Sequence, residues 1–273
     1  MKMVFKFNGF FMLLLMILLF NGDFNMSQTI NNGKFETVCI TVIYDNNPYL
    51  KNLQIDWGFA CLVDIGKTRI LFDTGDKADI LLRNMKKLDI DPQTIDFVFL
   101  SHFHHDHTGG LEEFLKTNSS VKVFYPQSFP FELIDLIKNS GAASFPVSYS
   151  KEISRNVFTL GEIDGTVSEQ SLAVRSSKGI VVISGCAHPG IVNILEKAKK
   201  EFPGELIYLA MGGFHLEPFK KEEIREIVDK IYDMEILCVA PTHCSGSTAR
   251  KLFQEVFNAD YIETGAGKVI KIE

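Results

Sequence analysis

The chain is 273 residues long, 46% hydrophobic and 23% charged, enough apolar material for one large core at an ordinary charge density. Its formal net charge is −6 and it contains no Lys/Arg-rich block, which removes the electrostatic footprint of a nucleic-acid binder. Its five cysteines, an odd number without framework spacing, do not form the pattern of a disulfide scaffold.

In chain order, Lys2 and Lys6 precede an apolar run from Phe10 to Phe20. That length suits a signal-peptide core and falls short of the roughly 20 apolar residues a spanning helix needs. Residues 1–28 are therefore read as a signal peptide or membrane anchor, with a buried or interfacial helix as the alternative. The stretch Asn21 to Ser27 has no good small-x-small cleavage site, which keeps an uncleaved anchor open. The expected location is outside the cytoplasm or at the membrane, and cytoplasmic if the segment is no signal.

Residues 35–273 read as one catalytic domain without a linker or a strong internal repeat. Strands are predicted over Val38 to Tyr44, Phe59 to Asp64 and Arg69 to Phe72, then a helix over Ile80 to Leu88. A buried strand over Ile95 to Leu100 leads straight into a histidine cluster. Further strands are predicted at Val121 to Tyr125, Leu172 to Arg175, Gly179 to Ser184, Leu206 to Met211 and Ile236 to Ala240. The last three are each followed by a helical pattern. Ile191, Ile194, Leu195 and Ala198 mark one buried helix face, with Pro189 before it suiting a helix start. Ile224, Ile227, Val228 and Ile231 mark a second face, and Leu252, Phe253 and Val256 a third. This alternation predicts a layered α/β protein. Cys39, Cys61 and Cys238 fit as small buried hydrophobes.

The seven histidines fall in four places, each within a few residues of the carboxyl end of a predicted strand: His102, His104, His105 and His107, then His188, His215 and His243. Open α/β architectures build their ligand sites there. The first cluster, Ser101-His102-Phe103-His104-His105-Asp106-His107, is an HxHxDH pattern. Imidazole and carboxylate suit Zn²⁺ and its borderline neighbours; alternate side chains bracket one ion while Asp106 and His107 turn toward a second. Gly109 and Gly110 then let the chain turn tightly into a helix whose amino end faces the site.

This cluster, with Leu71-Phe72-Asp73-Thr74-Gly75 before it, resembles the metallo-β-lactamase superfamily. The resemblance implies a four-layer αββα sandwich and a centre of one or two divalent ions, zinc first, with manganese, iron or magnesium as alternatives. A narrower resemblance rests on Tyr44-Asp45-Asn46-Asn47, Trp57-Gly58-Phe59, Ser184-Gly185-Cys186-Ala187-His188, Gly212-Gly213-Phe214-His215 and Thr242-His243-Cys244. These motifs are similar to the branch that includes the archaeal dihydropterin-ribofuranosyl-aminobenzene phosphate synthases and their bacterial relatives.

The resemblance makes His102, His104, Asp106, His107, His188 and His243 the expected metal ligands, with Asp73 supporting the site from behind or simply capping its turn. It places Asn46, Asn47 and His215 toward substrate and makes Asp106 and His215 the expected catalytic residues. Cys186 stands where the superfamily carries a bridging Asp. It is open to two readings, a thiolate ligand or a small residue buried beneath the metal.

The expected function is a metal-dependent hydrolase for a small phosphorylated or anionic substrate. A transferase of the synthase type is the alternative, although a leader peptide fits cytoplasmic pterin chemistry poorly. An iron-dependent oxidoreductase is a further alternative, weakened because oxygen-reducing relatives would carry Glu at the place of His104. A non-catalytic metal- or metabolite-binding protein is the last. No nucleic-acid partner is expected, membrane association rests on the N-terminal segment alone, and oligomeric state is not legible.

Overall fold

A computed structural model describes residues 35–273. The expected leader lies outside the described residues. Their first half runs β1 (Val38–Tyr44), β2 (Ala60–Ile65), β3 (Thr68–Phe72), α1 (Ala78–Lys87), β4 (Phe97–Phe99), α2 (His105–Thr108), α3 (Leu111–Thr117), β5 (Lys122–Pro126), α4 (Phe131–Asn139) and β6 (Ala143–Val147). The second half runs β7 (Tyr149–Ser154), β8 (Val157–Ile163), β9 (Glu169–Ser176), β10 (Gly179–Ser184), α5 (Ile191–Glu201), β11 (Ile207–Gly213), α6 (Lys221–Asp233), β12 (Cys238–Thr242), α7 (Gly246–Phe257) and β13 (Val269–Ile272).

Two sheets result, one in the order β13-β1-β2-β3-β4-β5-β6 and one in the order β12-β11-β10-β9-β8-β7. The alternation along single strands shows why they stack. In β10, Val181 and Ile183 join the core between the sheets, whereas Ile180 and Val182 join a second core beneath α5, α6 and α7. In β4, Phe97 and Phe99 face the other sheet while Val98 packs with α1, α3 and α4. Strands buried on both faces read as continuous apolar runs, which is how these central strands were visible in the sequence. The layers are therefore helix, sheet, sheet, helix, as expected. Phe72 and Phe99 stack at 5.5 Å in the central core, where truncating either to Ala would cost about 3–5 kcal/mol.

The differences from expectation have separate causes. Strands β6, β7 and β13, not anticipated, are edge strands with exposed or half-exposed residues and need no hydrophobic run. Strand β8, also not anticipated, lies inside its sheet, but Thr159, Gly161 and Glu162 interrupt its apolar residues. The strand predicted from Ile95 to Leu100 contracts to Phe97–Phe99 because a short 3₁₀ turn at Pro92–Thr94 ends on Ile95. The helix expected to start at Pro189 begins at Ile191 after Gly190, whose φ of 92° suits glycine. Cys61 and Cys238 are buried in the central core, Cys39 is half-buried, and all five thiols are free.

Strands β3 to β6 run parallel, as do β10 to β12. Their carboxyl ends deliver Asp73, the histidine cluster, Cys186 with His188, His215 and His243 to the same end of the sandwich.

Candidate metal centre

The loop after β4 is held from three sides before any ion is considered. Thr74 donates from its backbone N–H and its hydroxyl to the His107 carbonyl at 2.8 and 2.9 Å, and Phe59 N–H reaches the Asp106 carbonyl at 3.2 Å. Gln170 on β9 donates through Nε2 to the Leu100 carbonyl at 2.8 Å and through its backbone N–H to the Ser101 carbonyl at 2.9 Å, tying the histidine loop to the opposite sheet. Asp73, fully buried, accepts from Ser101 N–H, Ser101 hydroxyl and His107 Nδ1, each at 2.7 Å. The Asp73 carboxylate thus fixes His107 with Nδ1 protonated and Nε2 directed away from it, as an imidazole ligand requires. Gly185 passes so close that a Cβ there would sit 2.0 Å from the Ser101 hydroxyl.

Cys186 is the focus. His107 Nε2 lies 3.1 Å from its sulfur, and donor atoms of Asp106, His107, Cys186 and His243 all fall within 4.8 Å of one another. A second group within the same span consists of His102, Cys186 and His188. His104 adjoins it, with its ring 4.8 Å from both the His102 and the His188 ring. The structure therefore brings together all six expected ligands and adds Cys186 between their two halves. His105, by contrast, points to solvent and pairs with Asp76 at 2.8 Å.

The donor chemistry fits divalent ions. His188 Nε2 and His243 Nε2 are buried without a hydrogen-bond partner, an arrangement that costs stability unless something accepts the lone pair. His243 Nε2 approaches Asp106 Oδ2 at 3.2 Å, but without the alignment of a hydrogen bond. Burial and the neighbouring imidazoles push His102 well below its ordinary value and His188 down to about 4, so both rings are neutral and able to ligate near pH 7. Burial alone would raise the Asp106 carboxyl, yet the adjacent His243 and His107 hold it below the usual carboxylate range. His107 is opposed by burial too, but Asp73 keeps its proton up to about pH 9.

Four of the eight positive-φ non-glycine residues among the described residues lie here. Asp73, Ala187, His215 and His243 all have φ between 48° and 59°. Left-handed conformations cost a non-glycine residue about 1–2 kcal/mol, and here they aim side chains into one cleft.

Three features escape a reading of the sequence. Glu169, fully buried at the start of β9, accepts backbone N–H groups of Gly185, Cys186 and Ala187 on Oε1 and of His188 on Oε2, at 2.9–3.1 Å. It shapes the loop that carries two donors, and burial pushes it up to about 7 against those four bonds. Trp57 packs its ring 4.9 Å from His243. Cys244 lies beside Cys186 and His215. A carboxylate at the head of a buried strand was the one available signal for Glu169.

Asn46 and Asn47, expected to face substrate, are committed to the protein. Asn46 Oδ1 accepts from His243 Nδ1 at 3.0 Å, and Asn47 donates to Asp45 at 2.8 Å and accepts from Arg250. His215 lines the wall of an adjoining cavity of about 430 Å³, together with His188, Ile191, Phe214, Leu216 and Phe219. No Asp, Glu, Lys or Arg lines it.

A four-layer sandwich with a buried His/Asp/Cys cluster at its strand ends defines a metalloprotein-type architecture. A sequence model of the metallo-beta-lactamase superfamily matches residues 58–249, and the chain belongs to that superfamily. It is 30% identical over 290 residues to the 7,8-dihydropterin-6-methyl-4-(beta-D-ribofuranosyl)-aminobenzene-5'-phosphate synthase of Methanocaldococcus jannaschii, covering 88% of this chain and 99% of the relative. A metal-dependent hydrolase of Saccharolobus solfataricus is 25% identical over 185 residues, covering 62% of this chain and 75% of the relative. Among solved structures, a metal-dependent hydrolase of the beta-lactamase superfamily superposes with a TM-score of 0.72 at 29% identity, covering 86% of this chain and 99% of that one.

Proposed function

We propose that the chain is a metal-dependent hydrolase for a small substrate that joins a phosphorylated or otherwise anionic group to an uncharged body. The observation that carries this reading is the position of Cys186, whose sulfur belongs both to the His102/His188 group and to the Asp106/His107/His243 group. One or two divalent ions, zinc first because the donors are imidazole, carboxylate and thiol, would be held by these residues with His104. Such an ion supplies Lewis acidity, polarising a phosphoryl or carbonyl oxygen and acidifying water.

The chain's own residues do the rest. Asp73 orients His107, Asn46 orients His243, and Glu169 holds the Cys186–His188 loop, so the donors are preorganised. Asp106, ionised and half-buried in the cleft, orients the attacking water or the second ion. The uncharged body of the substrate occupies the apolar cavity, which keeps bulk water from the reacting group. His215, which lines the cavity wall, passes a proton to the departing group.

A transferase of the synthase type is the second reading, favoured by the near full-length 30% identity to the archaeal synthase. Metal-loaded protein assayed against phosphodiester, phosphomonoester and lactone panels tests the first reading. Hydrolysis lost in His102→Ala supports it. Absence of any hydrolysis, with condensation of a dihydropterin and an aminobenzene ribofuranosyl phosphate, replaces it with the second.

A further inference from the structure

Cys244 takes no part in the centre described above, yet its sulfur is within 4.8 Å of both the Cys186 sulfur and a ring nitrogen of His215. We propose that Cys186, Cys244 and His215 form a separate soft-metal position, one that shares the Cys186 sulfur with the main centre and takes zinc, cadmium or cuprous ion in preference to magnesium or manganese. Two thiols and one imidazole are a soft donor set, and three protein ligands leave a further coordination place open.

The chain is shaped to bring these three together. A Cβ at Gly213 would lie 2.7 Å from the Cys244 sulfur and 3.2 Å from the Cys186 Cα, so only a glycine lets the two thiols close on each other. The two loops that carry His215 and Cys244 are clamped together. Phe214 N–H donates to the Ser245 hydroxyl at 3.0 Å, and Glu217 N–H to the Cys244 carbonyl at 3.3 Å. His215 takes a left-handed φ of 51°, and its Nδ1 is buried without a partner. Both cysteines are 3% exposed and no disulfide joins them. The inference does not depend on the proposed reaction; His215 serves that reaction only while no ion is held here.

The test adds one equivalent of cadmium to zinc-loaded full-length protein, following zinc release, bound cadmium, and sulfur neighbours by X-ray absorption. The expected result is cadmium bound with two sulfur ligands, whether it adds beside zinc or replaces zinc at this position. Its affinity should fall at least tenfold in Cys244→Ser and in His215→Gln, and stay unchanged in Cys39→Ser. Cadmium that shows a single sulfur, or none, in the wild-type protein overturns the proposal. So does wild-type affinity in a folded Cys244→Ser variant. The sulfur count on wild-type protein decides the matter even if a variant does not fold.

Discussion

The carboxylate of Asp73 accepts a 2.7 Å hydrogen bond from His107 Nδ1 while both side chains are completely buried. This contact fixes which nitrogen of His107 meets the donor cluster. Asp73→Asn, which removes the charge and presents an amide to Ser101, is expected to weaken metal binding about 10–100-fold, the usual cost of losing such support. Competition against a chelator measures it. An unchanged affinity would reduce Asp73 to a turn residue.

Because Asp73 outweighs burial, the metal-free His107 ring should titrate near pH 9 rather than 6.5. The sign follows from linkage: the raised value stabilises the metal-free fold fully below pH 6.5, and that contribution is lost as pH rises through 9. Metal must displace the same proton, so apparent affinity should climb about tenfold per pH unit between 7 and 9 from this group alone. Ring NMR, together with calorimetry in buffers of different ionisation enthalpy, checks both statements. A His107 titration near 6.5 in metal-free protein would contradict them.

Glu169→Gln keeps shape but exchanges an acceptor that holds four backbone N–H groups for one that must turn an NH₂ toward some of them. A loss of about 2–4 kcal/mol in unfolding free energy is expected, from one or two charge-assisted bonds left unmade. The urea midpoint of the metal-free variant, at unchanged slope, reads it. A shift under 0.5 kcal/mol, taking that as roughly the ordinary surface value, would mean the loop is held by other contacts.

Trp57 is the single tryptophan of the chain, and its ring lies 4.9 Å from that of His243. Its fluorescence should therefore respond to metal, with cobalt quenching it in the wild-type protein and failing to do so at the same concentration in His243→Ala. Equal quenching in both would place the ion away from His243.

The apolar run Phe10 to Phe20 with Lys2 and Lys6 before it leads to the expectation that a reporter fused after Ser27 leaves the cytoplasm or stays with the membrane. A wholly soluble cytoplasmic reporter would reject the leader.

The sequence by itself located the central strands β10 and β11, whose burial on both faces writes a nearly unbroken apolar run, and β1 and β3 from their β-branched and apolar content. It also singled out the six histidine and aspartate residues that the structure brings together, since the HxHxDH spacing and the placement of His188 and His243 after strands are local signals. Edge strands β6 and β7, half-exposed, left no such trace.

What only the tertiary structure decided is which distant groups meet. Asn46 lies 197 positions from His243, yet its amide orients that ring instead of waiting for substrate. Glu169 gathers the N–H groups of a loop 16 to 19 positions ahead. Cys186 stood open between ligand and packing residue until β10, β11 and β12, paired in parallel, carried it between two imidazole groups and beside Cys244. Hydrogen bonds and donor distances between remote segments depend on sheet register and backbone turns at residues such as Gly213 and His215. No local pattern encodes those, because each is satisfied only once the two sheets have closed on each other.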